Sequence, residues 1–278
     1  MSFSLFAPFE FEFMTNAFIM ICIVSVPASL ISCYLVLRGW ALLGDAISHA
    51  VLPGVVLAYI LKFPLLLGAF VAGMSCALLT GFFSQNSRIK RDTVMGVVFS
   101  GMFALGLFSY LKIKTNVHLD HILFGNILGV SFRDIVISGT ISILVSSTII
   151  VKRLDLMLHT FDPIQGQVVG LKTSFLHYGF LALTSLTVVA ILSSVGIILA
   201  VGLLIAPGAI AFLAVRKLTH MLLTATSVAL VAGFIGVYSS FFLDSAPGPT
   251  IILIFSIFFL FVFLFSTLRN KKFLGLFN

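Results

Sequence analysis

The feature that most limits this chain is the recurrence of apolar runs about 20 residues long, each long enough to cross a bilayer as a helix. The runs cover 13–37, 41–61, 64–84, 93–111, 134–151, 174–193, 196–215, 220–243 and 249–268. Hydrocarbon offers no water to backbone N–H and C=O groups, so segments of this kind cross as helices whose hydrogen bonds close within the segment. Only 9% of the residues are charged, against about 25% in a soluble domain. A chain so poor in charge cannot cover a water-facing surface. The expectation is an all-α integral membrane protein, a polytopic bundle of about nine transmembrane helices. The second run is short and carries Asp45, His49 and Pro53, which leaves the count at eight or nine.

The net charge of +7 does not point to nucleic acid, because the basic residues stand in short clusters between the apolar runs. Alternating nine spans collects twelve of the 16 Lys and Arg residues on one side, among them Arg38, Arg88, Lys90, Arg91, Lys152, Arg153, Lys172, Arg216 and Lys217. Lys62, Lys112, Lys114 and Arg133 fall on the other. Cytoplasmic loops carry the excess of positive charge, so the N-terminus is expected outside and the C-terminus inside. The first apolar run lacks a basic segment before it and is too long for a signal-peptide core, so it is read as a retained helix. Cys22, Cys33 and Cys76 all lie within apolar runs and are read as small hydrophobes. No composition shift or linker divides the chain, which is read as a single transmembrane domain, 1–278, with a cytoplasmic loop at about 152–173.

Four segments break the apolar pattern with side chains capable of chemistry. In Gly44-Asp45-Ala46-Ile47-Ser48-His49-Ala50-Val51-Leu52-Pro53-Gly54, Asp45 and His49 are four apart and share a helical face. A charge at the bilayer centre costs roughly 2.5–3.5 kcal/mol even on the lenient insertion scale, so an ionisable pair there is a functional candidate. A carboxylate oxygen and an imidazole nitrogen make half of a divalent-metal site, and Ser48 is placed to tune it. The same spacing also fits a structural pair at a helix junction. In Phe161-Asp162-Pro163-Ile164-Gln165-Gly166-Gln167-Val168-Val169-Gly170, Asp suits an N-cap, Pro the first helical position and Gly the stop. This spells a short helix in the basic-side loop, either a surface for a soluble partner or a linker. His118, Asp120 and His121 form an outer cluster that could collect metal or simply be solvated. Asp244 to Pro249 reads as a tight outer turn.

Small residues mark close helix approach in lipid. Gly96, Gly101 and Gly106 recur every five residues, and Gly202, Ala206 and Gly208 bracket Pro207, which is expected to bend its helix. No Gly-x-x-x-x-Gly-Lys-[Ser/Thr] phosphate loop occurs, so ATP hydrolysis by that route is not expected of this chain. No cofactor fingerprint and no nucleophile–base pair is present, and no permanently bound cofactor is expected.

The Gly44 to Gly54 motif, the Phe161-Asp162-Pro163 loop, the stretch from Val195-Gly196 to Pro207-Gly208 and the Gly248-Pro249 turn together resemble the permease subunits of bacterial zinc/manganese/iron ABC importers. The likeness covers nearly the whole chain. His121-Ile122-Leu123-Phe124-Gly125-Asn126-Ile127-Leu128-Gly129 looks like the manganese and chelated-iron branch. The resemblance implies a type II ABC importer-like bundle in the bacterial inner (plasma) membrane that moves Mn²⁺ or Fe²⁺ into the cytoplasm, with Zn²⁺ as the alternative cargo. It implies a second permease copy or a homologous permease around the pore. A separate cytoplasmic ATP-binding subunit would hydrolyse ATP, and an extracytoplasmic metal-binding protein would dock outside. Asp45 and His49 match positions that hold metal in the pathway. Asp162 to Gly170, with Pro163, Gln165 and Gly166, matches the element that couples to the ATPase. A secondary transporter driven by an ion gradient would usually need more buried carboxylates than Asp45 alone; a third reading is a purely structural membrane subunit.

Overall fold

The computed structural model describes residues 6–112 and 127–274. A short helix, α1 (Ala7–Glu10), precedes the first span. Among the described residues, nine helices are long and apolar enough to span a membrane: α2 (Glu12–Leu37), α3 (Leu43–Ile60), α4 (Leu65–Asn86), α5 (Arg91–Lys112), α6 (Phe132–Val151), α9 (Thr173–Val195), α10 (Ile197–Ala214), α11 (Leu218–Phe242) and α12 (Pro247–Leu274). Two short helices, α7 (Arg153–Phe161) and α8 (Pro163–Val168), lie between α6 and α9. Among the described residues there is no strand. The count among the described residues is therefore nine, and the short second run is a full member of the bundle.

The bundle is organised around two inner helices. α2 packs against α6, α10 and α11, while α3 packs against α4 and α5, and α9 and α10 join the two groups. α12 covers α10 and α11 from outside. The helices cross where side chains are small. A Cβ on Gly54 would run into the Gly68 carbonyl and come within 2.5 Å of the Ala72 Cβ, and Gly68 meets Gly54 reciprocally. On α5, a Cβ on Gly106 would lie 2.7 Å from the Pro53 nitrogen. Close backbone approach replaces the hydrophobic driving force that lipid does not supply.

Of the three glycines spaced by five, only Gly106 packs; Gly96 and Gly101 face open space. Five residues advance a helix by about 140° beyond a full turn, so the repeat cannot line one face.

α10 runs as one helix through Pro207. Beside it, the Ser32 hydroxyl of α2 donates to the Ile205 carbonyl (3.1 Å) and accepts from the Gly208 N–H (3.0 Å). A hydroxyl from a neighbouring helix thus serves backbone groups next to the proline. Gly208 has room for no more, because its Cβ would sit 2.5 Å from the same hydroxyl.

Candidate functional site

The approach to the Asp45–His49 pair begins at the end of α2. Gly39 takes a left-handed conformation (φ 67°), and its N–H bonds the Val36 carbonyl while the Trp40 N–H bonds that of Leu35. This is the paired closure that ends a helix with glycine one place beyond the cap. Four residues later α3 opens at Leu43, and Asp45 falls in its first turn, where free N–H groups and the positive end of the helix dipole favour a carboxylate.

That first turn lies deep in the bundle. The Cys76 thiol, near the middle of α4, is 3.7 Å from the Ala46 carbonyl. A Cβ on Gly73 would touch both Ile47 Cγ2 (3.0 Å) and the Ser185 hydroxyl (2.6 Å), and Ser185 is near the middle of α9. Gly44 meets Leu204 of α10, with a would-be Cβ 2.8 Å from Leu204 Cδ1. Three spans therefore place Asp45 and His49 about halfway along their own lengths. The first turn of α3 is thus level with the middles of α9 and α10, not with their ends.

The His49 Nε2 is 3.3 Å from the Asp45 Oδ1, with the two side chains 31% and 28% exposed. This half-burial leaves one side of the pair open. The His49 ring stacks on Phe99 (centroids 5.6 Å apart) and meets Phe103 edge-on at the same distance. The two phenylalanines are four apart on α5, so one face of that helix clamps the imidazole. Sequence reading missed them because phenylalanine is abundant here, 30 residues in all; the i, i+4 spacing of two phenylalanines was the available signal. Ser48 does not tune the pair. It is buried and its hydroxyl donates to the Gly44 carbonyl at 2.8 Å within its own helix. Among the described residues no group of three or more His, Cys, Asp or Glu side chains converges, so the pair supplies one oxygen and one nitrogen donor. His118, Asp120 and His121 lie outside the described residues.

On the other side, Asp162 caps α8 by accepting the Gln165 N–H at 2.9 Å, with Pro163 in the first helical position. Gly170, at φ 88°, ends the helix: its N–H bonds the Gln167 carbonyl and the Leu171 N–H bonds that of Gly166. Gly166 is buried against Thr173 at the start of α9, where a Cβ would lie 3.4 Å from the Thr173 Cγ2. Its missing side chain seats α8 on the bundle. Ile164, Val168 and Val169 are left 75%, 81% and 66% exposed, an apolar surface pointing away from the spans. At the outer turn, Asp244 is left-handed (φ 49°) and Ser245 and Thr250 share a 2.9 Å hydroxyl contact.

Comparison with known proteins agrees with this architecture. The family model of the ABC 3 transport family matches residues 10–266. The chain is 48% identical over 273 residues to the chelated iron transport system membrane protein YfeD of Yersinia pestis, covering 98% of this chain and 92% of that one. It is 40% identical over 250 residues to the manganese transport system membrane protein MntB of a Synechocystis strain, covering 89% and 81%. Among solved structures, a chain of PsaBC from Streptococcus pneumoniae in complex with Fab superposes with a TM-score of 0.85 at 35% identity, covering 97% of this chain and 96% of that chain. The chain belongs to the ABC 3 transport family, and it is a multi-pass protein of the inner membrane.

Proposed function

We propose that this member of the ABC 3 transport family is the permease through which Mn²⁺ or Fe²⁺ enters the cytoplasm, and that Asp45 and His49 hold the ion midway. The observation that carries the reading is the half-open carboxylate–imidazole pair in the interior of the bundle. The relatives named for manganese and for chelated iron favour those cargoes over Zn²⁺. A mixed oxygen and nitrogen donor set suits them as well.

The chemistry follows from the desolvation of a dication. Asp45 lends charge where water is scarce, and a neutral His49 lends a lone pair once no proton stands between Nε2 and Oδ1. Phe99 and Phe103 fix the ring so that Nε2 stays turned to the carboxylate. Two donors are too few to trap a dication. The ion keeps water or takes donors from a second permease copy related by a two-fold axis, and in either case it can leave.

ATP hydrolysis belongs to a separate cytoplasmic subunit that docks on the exposed apolar face of α8, and an extracytoplasmic metal-binding protein delivers the ion. The excess of basic residues on the α7–α8 side supports that side as cytoplasmic. The test is uptake of radioactive Mn²⁺, with Fe²⁺ and Zn²⁺ as competitors, in cells carrying Asp45→Asn or His49→Ala. Each variant should lose uptake at least ten-fold while the amount of folded protein in the membrane holds. Native uptake by either would return the pair to a structural role.

A further inference from the structure

A second polar site lies below the metal pair, where α2, α7 and α9 meet. A cavity of about 410 Å³ opens there, lined among others by Arg38, His159, Thr160, Ser174, His177 and Tyr178. We infer that this cavity binds a phosphate-class oxyanion, either free phosphate or the headgroup of an anionic phospholipid.

The lining is one-sided in its chemistry. It brings together a guanidinium, two imidazoles and several hydroxyls, and no described residue lining it is a carboxylate. The nearby acids are committed elsewhere: Asp162 caps α8 through the Gln165 N–H, and Asp155 pairs with Lys152 at 3.1 Å. Arg38 is held in place, its Nε donating to the Thr160 hydroxyl at 3.1 Å and its guanidinium lying 4.6 Å over the Phe180 ring. The His159 and His177 rings stand 6.1 Å apart. The buried Nδ1 of His159 has no hydrogen-bond partner, an orphaned polar atom of the kind that a ligand or water completes. Burial, with Arg38 and His177 alongside, holds the His159 imidazole down at about 4, so it is neutral near pH 7, and an anion seated beside it would favour the protonated form.

Two neighbouring imidazoles would otherwise suggest a metal site. The fixed guanidinium beside them repels a dication and attracts an anion, and guanidinium with surrounding N–H and O–H donors is the arrangement that phosphate prefers. α9 adds the start of a 23-residue helix, whose positive end favours an anion, with Thr173 and Ser174 at the rim. Basic pockets between helices at the cytoplasmic membrane face commonly take anionic headgroups. The lipid source rests on the proposed orientation; anion binding itself does not.

Trp40 lines the same cavity and is the only tryptophan in the chain, so its fluorescence reports occupancy directly. The full-length permease, purified in a neutral detergent, is titrated with inorganic phosphate against chloride at matched ionic strength. In parallel it is placed in nanodiscs of phosphatidylcholine with and without phosphatidylglycerol. A saturable Trp40 change with phosphate supports a free anion; a change with phosphatidylglycerol alone supports a headgroup. Arg38→Gln should weaken either response about ten-fold, the loss of one charge-assisted contact. If that variant does not fold, His177→Gln and Ser174→Ala should each weaken it by a smaller factor. No saturable change in either arm, or titrations unaltered by the variants, overturns the inference. Labelling of a cysteine at position 165 from outside intact cells would instead overturn the orientation, and the phosphate arm would still stand.

Discussion

α3 and α12 are opposites. Of the nine spans among the described residues, α12 is the most apolar and α3 the least, yet 72% of the most apolar stretch of α3 is buried against 11% for α12. In a soluble protein the order would be reversed, since apolar surface is what the core hides. Here the solvent around α12 is itself apolar, and Leu253, Leu260 and Phe261, 58–73% exposed, cost nothing there. What must be hidden is α3, with its carboxylate, its imidazole and its bare backbone at Gly54. Between these two helices, the more apolar one meets lipid, and the small and polar residues mark the one that makes the interior.

The sharpest way to break that comparison is to enlarge one residue on each helix. Gly54→Leu must push apart α3 and α4 where their backbones touch, at more than the usual 1–3 kcal/mol of overpacking. Loss of monodisperse protein in detergent gel filtration is the expected result. Ser256→Leu, on the exposed face of α12, should leave the elution profile unchanged. A folded Gly54→Leu permease would mean that the inner crossing is looser than the structure has it.

A smaller effect tests the clamp on His49. Phe99→Ala or Phe103→Ala removes a ring contact worth about 0.5–1.5 kcal/mol. Each should raise the half-saturating Mn²⁺ concentration for uptake roughly two- to ten-fold with maximal uptake nearly kept. Loss of maximal uptake with unchanged half-saturation would assign the rings to the conformational cycle instead.

The smallest effect is at the far end of α3. Lys62 stands in a left-handed conformation (φ 55°) and closes the helix through the same pair of bonds as Gly39, from its own N–H to Tyr59 and from Phe63 to Ala58. Lys62→Gly relieves backbone strain at some cost in unfolded-chain entropy, a net gain of about 0.5 kcal/mol visible as a slightly higher melting temperature in detergent. A fall would show that the lysine side chain does more than occupy the turn.

The spans were legible because each is a single-variable signal, a run of apolar residues of fixed minimum length; all nine expected runs correspond to helices with ends within a few residues. The α8 stop and start were legible too, since Asp162, Pro163 and Gly170 are local chemistry. The level of the Asp45–His49 pair within the bundle was not. Nothing within 41–61 says that α3 opens at the middle of its neighbours, because that level is set by Cys76, Ser185 and Leu204 on three other helices. The cavity at Arg38 was illegible for the same reason: its walls come from residues separated by more than 100 positions, and each alone reads as an ordinary loop or interfacial side chain.

The level at which α3 begins also has an electrical meaning. On the proposed reading, a dication seated beside Asp45, level with the middles of α9 and α10, has crossed only about half of the membrane's voltage drop. With the cytoplasm negative, each half is worth about 2.3 kcal/mol per 100 mV to an ion of charge two. Reaching the pair from outside is thus downhill, leaving it for the cytoplasm is downhill by as much again, and returning outward is the step that the field opposes. On the proposed reading, the resting potential itself works as a one-way bias around a site of only two donors.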